Sequence, residues 1–161
     1  MSSYSNICFY GGGAWGQALA ITLASLGNKS TLIVSDKFRE VDINNHVSKR
    51  FPQAKLSPLI KASIDKNQII KGCDLIFITT ESKRVLDTIN QIAFLSNKNI
   101  HVVITSKGFA TSTGETFSEV VESDFPNMTL SILTGPTFAD EIANNQPAAA
   151  VIANKVIEQA N

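Results

Sequence analysis

The sequence predicts an α/β fold, a doubly wound and mainly parallel sheet with helices on both faces. Two observations predict it. Short apolar runs alternate with segments of helical period along the chain, the pattern of repeated strand–helix–strand units. Three glycines, Gly11, Gly13 and Gly16, also stand at G-x-G-x-x-G spacing, directly after the first apolar run and at the start of the first helical segment. In that setting each glycine has a physical task. Gly11 permits the sharp turn out of the strand, Gly13 removes a Cβ so that backbone can approach a pyrophosphate, and Gly16 lets the helix lie close on the strand. Free N–H groups and the dipole at the helix start favour a phosphate's negative charge. The motif points to a dinucleotide and to the Rossmann-like form of the fold.

The elements follow in order. Ile7–Tyr10 is the first strand. A helix runs from Ala14 to Leu26 with Leu19, Leu23 and Leu26 on one stripe, and Gly27 suits its C-cap. Thr31–Val34 is the second strand and ends at Ser35-Asp36, completing a βαβ unit with parallel pairing. A short helix over Phe38–His46 precedes a proline-bearing loop from Lys49 to Pro58. Ile60–Ser63 reads as a short strand and Asp65–Lys71 as a short helix before Gly72. Leu75–Thr79 is a buried strand, after which Ser82 is expected to N-cap a helix to Leu95 with Val85, Ile89 and Ile92 as its apolar stripe. Ile100–Thr105 is the next strand. Ser112 and Glu115 have capping-box spacing ahead of a helix to Ser123. Leu130–Leu133 is a strand, Thr137 and Asp140 begin a further short helix, and Ala148–Ala153 is the last strand.

Composition narrows the function classes. The chain has 161 residues, enough for about one domain, taken as residues 1–161. Its formal net charge is zero, which argues against a nucleic-acid or membrane-surface partner. No apolar run approaches the roughly 18 residues of a membrane span, and the polar stretch Met1–Asn6 does not read as a signal peptide. Cys8 and Cys73 each lie in or beside an apolar run and read as buried, reduced thiols of a cytoplasmic protein rather than a metal site. His46 and His101 have no carboxylate or cysteine pattern beside them and read as structural or exposed.

Ligands of such sheets sit at the carboxyl ends of the strands. That rule gathers five turns on one rim: the glycine turn, Ser35-Asp36, residues 79–82, residues 105–108 and residues 135–137. Taken alone, Lys107 reads as a solvated turn charge, Trp15 as core and Thr137 as a helix cap. Asp36 suits ribose hydroxyls and a solvent-facing helix cap equally.

Four stretches resemble one family. Residues 11–20, Gly-Gly-Gly-Ala-Trp-Gly-Gln-Ala-Leu-Ala, resemble the opening motif of NAD(P)-dependent glycerol-3-phosphate dehydrogenases. Ser106-Lys107-Gly108 resembles that family's lysine–glycine turn. Residues 133–141, Leu-Thr-Gly-Pro-Thr-Phe-Ala-Asp-Glu, are close to its Gly-Pro-Ser/Thr-Phe-Ala-x-Glu signature, and Gln146-Pro147-Ala148-Ala149 resembles the stretch after it. The resemblance implies that Ala14 and Trp15 line the cofactor and that Ser35 meets the adenosine ribose end. It implies that Lys107 contacts cofactor and substrate, that Gly135 and Thr137 contact the glycerol phosphate, and that Ala139 touches the cofactor. The expected reaction is hydride transfer between a nicotinamide and C2 of dihydroxyacetone phosphate or sn-glycerol 3-phosphate, in service of glycerophospholipid synthesis.

Three departures from the family pattern carry expectations. Some members have an arginine where Ser35 stands, favouring the extra phosphate of NADP. Ser35 lacks that charge and Asp36 repels phosphate, with Lys37 as an offset, so the cofactor is NAD or NADP with a tilt to NAD. Where the family has Val-Pro-Ser-Gln or similar, this chain has Thr80-Glu81-Ser82-Lys83. Family enzymes are also about twice this length, and their mostly helical second domain supplies the general acid/base lysine and an Arg-Asn pair. The chain therefore reads as truncated: the cofactor domain without its catalytic lysine, with little turnover alone, a complementing C-terminal half or a homo-oligomer as partner, and an apolar surface exposed where the second domain would sit. A related dehydrogenase of the same sheet, such as a ketopantoate reductase, and a non-catalytic NAD-binding module are the competing readings.

Overall fold

A computed structural model of the chain describes residues 4–96, 99–110, 112 and 114–156. Residues 1–3 and 157–161 of the expected 1–161 domain lie outside the described residues. The elements are β1 (Ile7–Tyr10), α1 (Ala14–Ser25), β2 (Ser30–Ile33), α2 (Lys37–Asn44), β3 (Ile60–Ser63), α3 (Lys66–Gly72), β4 (Leu75–Ile78), a 3₁₀ turn (Ser82–Arg84), α4 (Val85–Leu95), β5 (Ile100–Ile104), α5 (Phe117–Asp124), β6 (Met128–Thr134), α6 (Ala139–Ala143) and β7 (Val151–Ala153). The strands form one sheet in the order β3-β2-β1-β4-β5-β6-β7. Pairing is parallel from β3 through β6. The last pair, β6 with β7, is antiparallel, with Leu133 opposite Ile152. Chain order reverses between β1 and β4, so a crevice opens at the carboxyl ends of these strands.

Two apolar layers hold the sheet. One gathers Cys8, Ile76, Ile78, Val102 and Ile104 against Val85, Ile89, Ile92, Phe117 and Val121 of α4 and α5. The other gathers Phe9 and Leu32 with Ile43, Leu56 and Ile60, and Phe9 stacks on Phe77. The expected stripe of α4 is thus buried. That of α1 differs: Gly16, Gln17, Ala18 and Ala20 are its buried residues, while Leu26 is 72% exposed. Leu19 and Leu23 of the expected stripe still pack, partly buried, against the Phe9–Leu32 layer, while Gly16 brings α1 so close to β1 that small residues line the tightest contact.

Four boundaries depart from the sequence reading. Ser82 does not cap a helix; it opens a 3₁₀ turn, and its hydroxyl donates to the Lys107 carbonyl at 2.6 Å. The capping box before α5 is Thr116 with Glu119, not Ser112 with Glu115. Both pairs have the right spacing, but only the later one starts the helix where Phe117 and Val121 enter the core. Hydrogen bonds from Thr116 hold the exposed Glu119 carboxyl below its usual range. Helix α6 begins at Ala139 after Phe138, and Thr137 makes no cap bond. Strand β7 is three residues long, shorter than the expected Ala148–Ala153.

Cys8 and Cys73 are both free and buried. Burial, with a hydrogen bond to Cys73, pushes the Cys8 thiol up, away from the reactive thiolate. His101 is also buried: its Nδ1 meets the Tyr4 hydroxyl at 2.5 Å and its Nε2 the Ser131 hydroxyl at 2.8 Å. Asn154 donates to the same Ser131 oxygen at 2.8 Å, tying β5, β6 and the segment after β7 together. No helix among the described residues is long and apolar enough to cross a membrane.

Candidate functional site

The glycine turn is stitched to its neighbours by backbone and hydroxyl bonds. Gly11 N–H donates to the Ile33 carbonyl at 3.2 Å, and Thr79 N–H to that of Tyr10 at 3.1 Å. The Thr79 hydroxyl donates to the Gly11 carbonyl at 2.8 Å. Gly11 has φ +127°, and a Cβ there would meet Thr79 Oγ1 at 2.8 Å, so both backbone and space demand glycine. A Cβ on Gly16 would stand 2.1 Å from the Gly11 carbonyl oxygen, whereas one on Gly13 would meet nothing within 4 Å. The three expected tasks are thus distinguished physically: turning, close packing, and an open face at the helix start.

Two members of this turn were not legible as such. A Cβ on Gly12 would lie 2.4 Å from Val34 Cγ1, so the middle glycine of the run fits β1 beneath the end of β2. The buried Gln17 amide donates to the Gly12 carbonyl at 2.9 Å and accepts from the Ser48 hydroxyl at 2.5 Å, while Ser48 Oγ accepts from Phe51 N–H at 2.9 Å. This chain of bonds fastens the loop after α2 to the glycine turn. An amide side chain inside an otherwise apolar helix was the available signal.

At the end of β2, Ser35 is exposed and Asp36 is half-buried. Asp36 resolves toward its capping role: its carboxylate accepts from Arg39 N–H at 2.8 Å at the start of α2. Its other oxygen lies 3.6 Å from the Arg39 guanidinium. Lys37 is paired with Glu40, whose carboxyl it holds below the ordinary range. A cavity of about 500 Å³ runs from Gly11–Gly13 past Ser35 to Thr80, with Arg39, Lys66, Glu81 and Arg84 as its charged lining. One buried polar atom of this lining, Thr80 Oγ1, has no hydrogen-bond partner among the described residues. An open glycine face, a net positive lining and an orphaned hydroxyl fit a dinucleotide whose pyrophosphate lies over Gly13 and the start of α1.

The substrate-side residues are arranged more loosely. Lys107 is exposed at the end of β5. Its turn is fixed from below, by Ser82 on its own carbonyl and by the Ser106 hydroxyl donating to Thr80 O at 2.5 Å. A Cβ on Gly135 would lie 2.5 Å from Ala149 O, so this glycine admits the returning segment before β7. Thr137 is half-buried, and Ala139 on α6 packs with Ala14 around Ala18, Phe51 and Ala143. The structure thus joins Gly11, Gly13, Ser35 and the 79–81 turn around one cavity and sets Ala139 beside Ala14. Lys107, Gly135 and Thr137 stay on the rim beyond it, among the exposed Phe109, Phe138 and Val151.

A parallel sheet that reverses at a glycine turn, with its open helix start on the crevice, defines the dinucleotide-binding domain of a dehydrogenase. Residues 6–160 match the family described as NAD-dependent glycerol-3-phosphate dehydrogenase N-terminus. The chain belongs to this family. It is 30% identical over 155 residues to the glycerol-3-phosphate dehydrogenase [NAD(P)+] of Chelativorans sp. (strain BNC1), covering 95% of this chain and 47% of that protein. It is 31% identical over 153 residues to that of Brucella canis, covering 92% and 46%. The crystal structure of the Coxiella burnetii enzyme superposes with a TM-score of 0.81 at 25% identity, over 96% of this chain and 48% of that one. A 3-hydroxyisobutyrate dehydrogenase of Mycobacterium tuberculosis, at TM-score 0.73 and 11% identity over 99% of this chain and 50% of that one, shares the fold alone. The chain spans about half the length of the curated relatives it matches.

Proposed function

We propose that this chain forms the nucleotide half of a glycerol-3-phosphate dehydrogenase site. The reaction is the interconversion of dihydroxyacetone phosphate and sn-glycerol 3-phosphate in the cytoplasm, feeding glycerophospholipid synthesis. The observation that carries the reading is the glycine turn bonded to the end of β2 and to Thr79 after β4 while its Gly13 face stays open. The nicotinamide supplies the hydride; the protein orients the reactants and handles the proton. Backbone N–H groups over Gly13–Trp15 hold the pyrophosphate, Ser35 and Asp36 meet the adenosine ribose, and Ala139 borders the cofactor. Lys107, a mobile point charge, serves the anionic substrate and the cofactor together. Gly135 and Thr137 offer backbone and hydroxyl groups to the glycerol phosphate.

On this reading the general acid/base lysine belongs to a segment other than the stretch matched by these 161 residues. The chain by itself therefore binds the dinucleotide but turns over at least about 10²-fold more slowly than a complete relative, the usual contribution of a positioned acid. A complementing C-terminal half, or a second copy of the chain, would cover the apolar rim. Nucleotide titration by calorimetry, joined to NADH or NADPH oxidation with dihydroxyacetone phosphate, tests this. Binding with slow turnover is expected. Absence of binding refutes the nucleotide reading, and near-normal turnover refutes the assignment of the acid to another segment.

A further inference from the structure

We propose that Arg39 is the residue that selects the dinucleotide, and that it selects the 2′-phosphorylated form, NADP(H). The inference rests on the nucleotide reading above and deepens it. In this fold the residue following the second strand meets the adenosine ribose, and a nearby arginine accommodates a 2′-phosphate. Here that position is Ser35, which carries no charge. Arg39, one helical turn further on, lines the same cavity as Ser35 and Gly11–Gly13.

The placement of Arg39 is built rather than incidental. Asp36 caps α2 through the Arg39 N–H at 2.8 Å, which fixes the first turn of the helix and the direction in which the side chain leaves it. The stem then crosses the glycine turn: a Cβ on Gly12 would lie 3.4 Å from Arg39 Cδ. A side chain at position 12 would push the stem away, so the glycine run also makes room for this arginine. The Arg39 side chain is 37% exposed and its guanidinium lies 3.6 Å from Asp36, a loose and partly solvated pair. Such pairs contribute little to stability and exchange readily for a better partner. A phosphate offers the planar fork two charge-assisted bonds and up to two negative charges.

The sign of the surrounding field decides between the two dinucleotides. Asp36 opposes a 2′-phosphate, but its carboxylate is shared between the helix cap and Arg39. The charged cavity lining is Arg39, Lys66 and Arg84 against Glu81, and Glu81 is in addition paired with Lys83 at 2.9 Å. Lys66, which lines the cavity, donates to Gln91 Oε1 at 2.7 Å. The net positive lining favours the ligand with the additional phosphate, reversing the tilt to NAD that Ser35 and Asp36 suggest from sequence.

The test is calorimetric titration of the 161-residue chain and its variants with NADPH, NADH, adenosine 2′,5′-bisphosphate and adenosine 5′-monophosphate at low salt. The unmodified chain is expected to bind NADPH about tenfold or more tightly than NADH, the scale of hydrogen bonds to a charged group, with the same preference between the two adenosine fragments. Arg39→Ala should abolish that preference by weakening only the 2′-phosphorylated ligands. Arg39→Lys, which keeps the charge but loses the fork, should retain part of it. Thermal melts of both variants check that the fold is intact. Equal binding of NADH and NADPH, or a preference for NADPH that survives Arg39→Ala in a folded chain, overturns this proposal and leaves the nucleotide reading standing. Failure of every ligand to bind overturns both.

Discussion

The two sides of the sheet's carboxyl rim are built differently. On the side of β1, β2 and β4 the turn is over-determined: Gly11, Gly12 and Gly16 each stand where a Cβ would collide within 3 Å of a neighbouring atom, and Thr79 and Gln17 hold its carbonyls. On the side of β5, β6 and β7 the same rim carries a five-residue helix, a three-residue exposed strand and the exposed side chains Phe109, Phe138 and Val151. A nucleotide site can be shaped by one chain's internal packing, because backbone N–H groups and small residues do the recognising. A site for a small phosphate ester needs walls on several sides; on the proposed reading, Lys107 and Thr137 would form one of them.

Substitutions can break this contrast or sharpen it. The largest effect is expected of Gly16→Ala. Its Cβ would meet backbone oxygen rather than a flexible side chain, so α1 must shift, at a cost of about 3 kcal/mol by analogy with overpacked cores, a fall of roughly 10 °C in Tm at this chain length. Gly13→Ala should lose nucleotide binding while costing less than about 1 kcal/mol, since only a glycine cap is exchanged for a poorer one. Calorimetric melts and nucleotide titration of the pair separate packing from approach, and equal losses of stability would erase the distinction.

Next comes Gln17→Ala, which leaves Ser48 and the Gly12 carbonyl without their partner. Unmet buried groups cost about 1–3 kcal/mol, and nucleotide affinity should fall because the turn loosens. Unchanged stability and affinity in that variant would mean that the 48–51 loop does not support the turn.

The opposite, amino end of the sheet, where His101 is buried between Tyr4 and Ser131, offers a pH test. Burial lowers the pKa of His101 below its ordinary value. The unfolded chain then binds more protons than the folded one as pH falls through about 6.5, so stability should be full above that pH and decline below it. Replacing His101 with Gln should flatten this part of the profile in urea titrations run from pH 8 to pH 5. The smallest effect is expected of Lys107→Ala: an exposed side chain whose loss changes stability by less than about 0.5 kcal/mol. If the proposed complementing half restores turnover, that turnover, rather than Tm, should register it.

Much of this contrast was legible from the residues. The buried strands announced themselves as apolar runs, and β1, β3 and the start of β4 and β5 stand where those runs do. The glycine spacing gave three roles that depend only on local geometry. What escaped depends on contacts between distant segments. Nothing in the sequence says that Ser82 turns to the Lys107 carbonyl, that Gly12 lies under Val34, that Gly135 faces Ala149, or that Arg39 crosses the glycine turn. The two capping boxes have equal local merit; only the burial of Phe117 and Val121 chooses between them. Strand β7 was misjudged in length because its pairing, and not its apolar run, sets its bounds.

The central claim is that the glycine turn holds a dinucleotide by its open face. A crystal structure of the chain grown with NADPH tests it most directly. The account expects the pyrophosphate within hydrogen-bond distance of the backbone N–H groups at residues 13–15, the adenosine ribose beside Ser35, and the 2′-phosphate on Arg39. A dinucleotide bound elsewhere on the chain, with the Gly13 face occupied only by solvent, would contradict it.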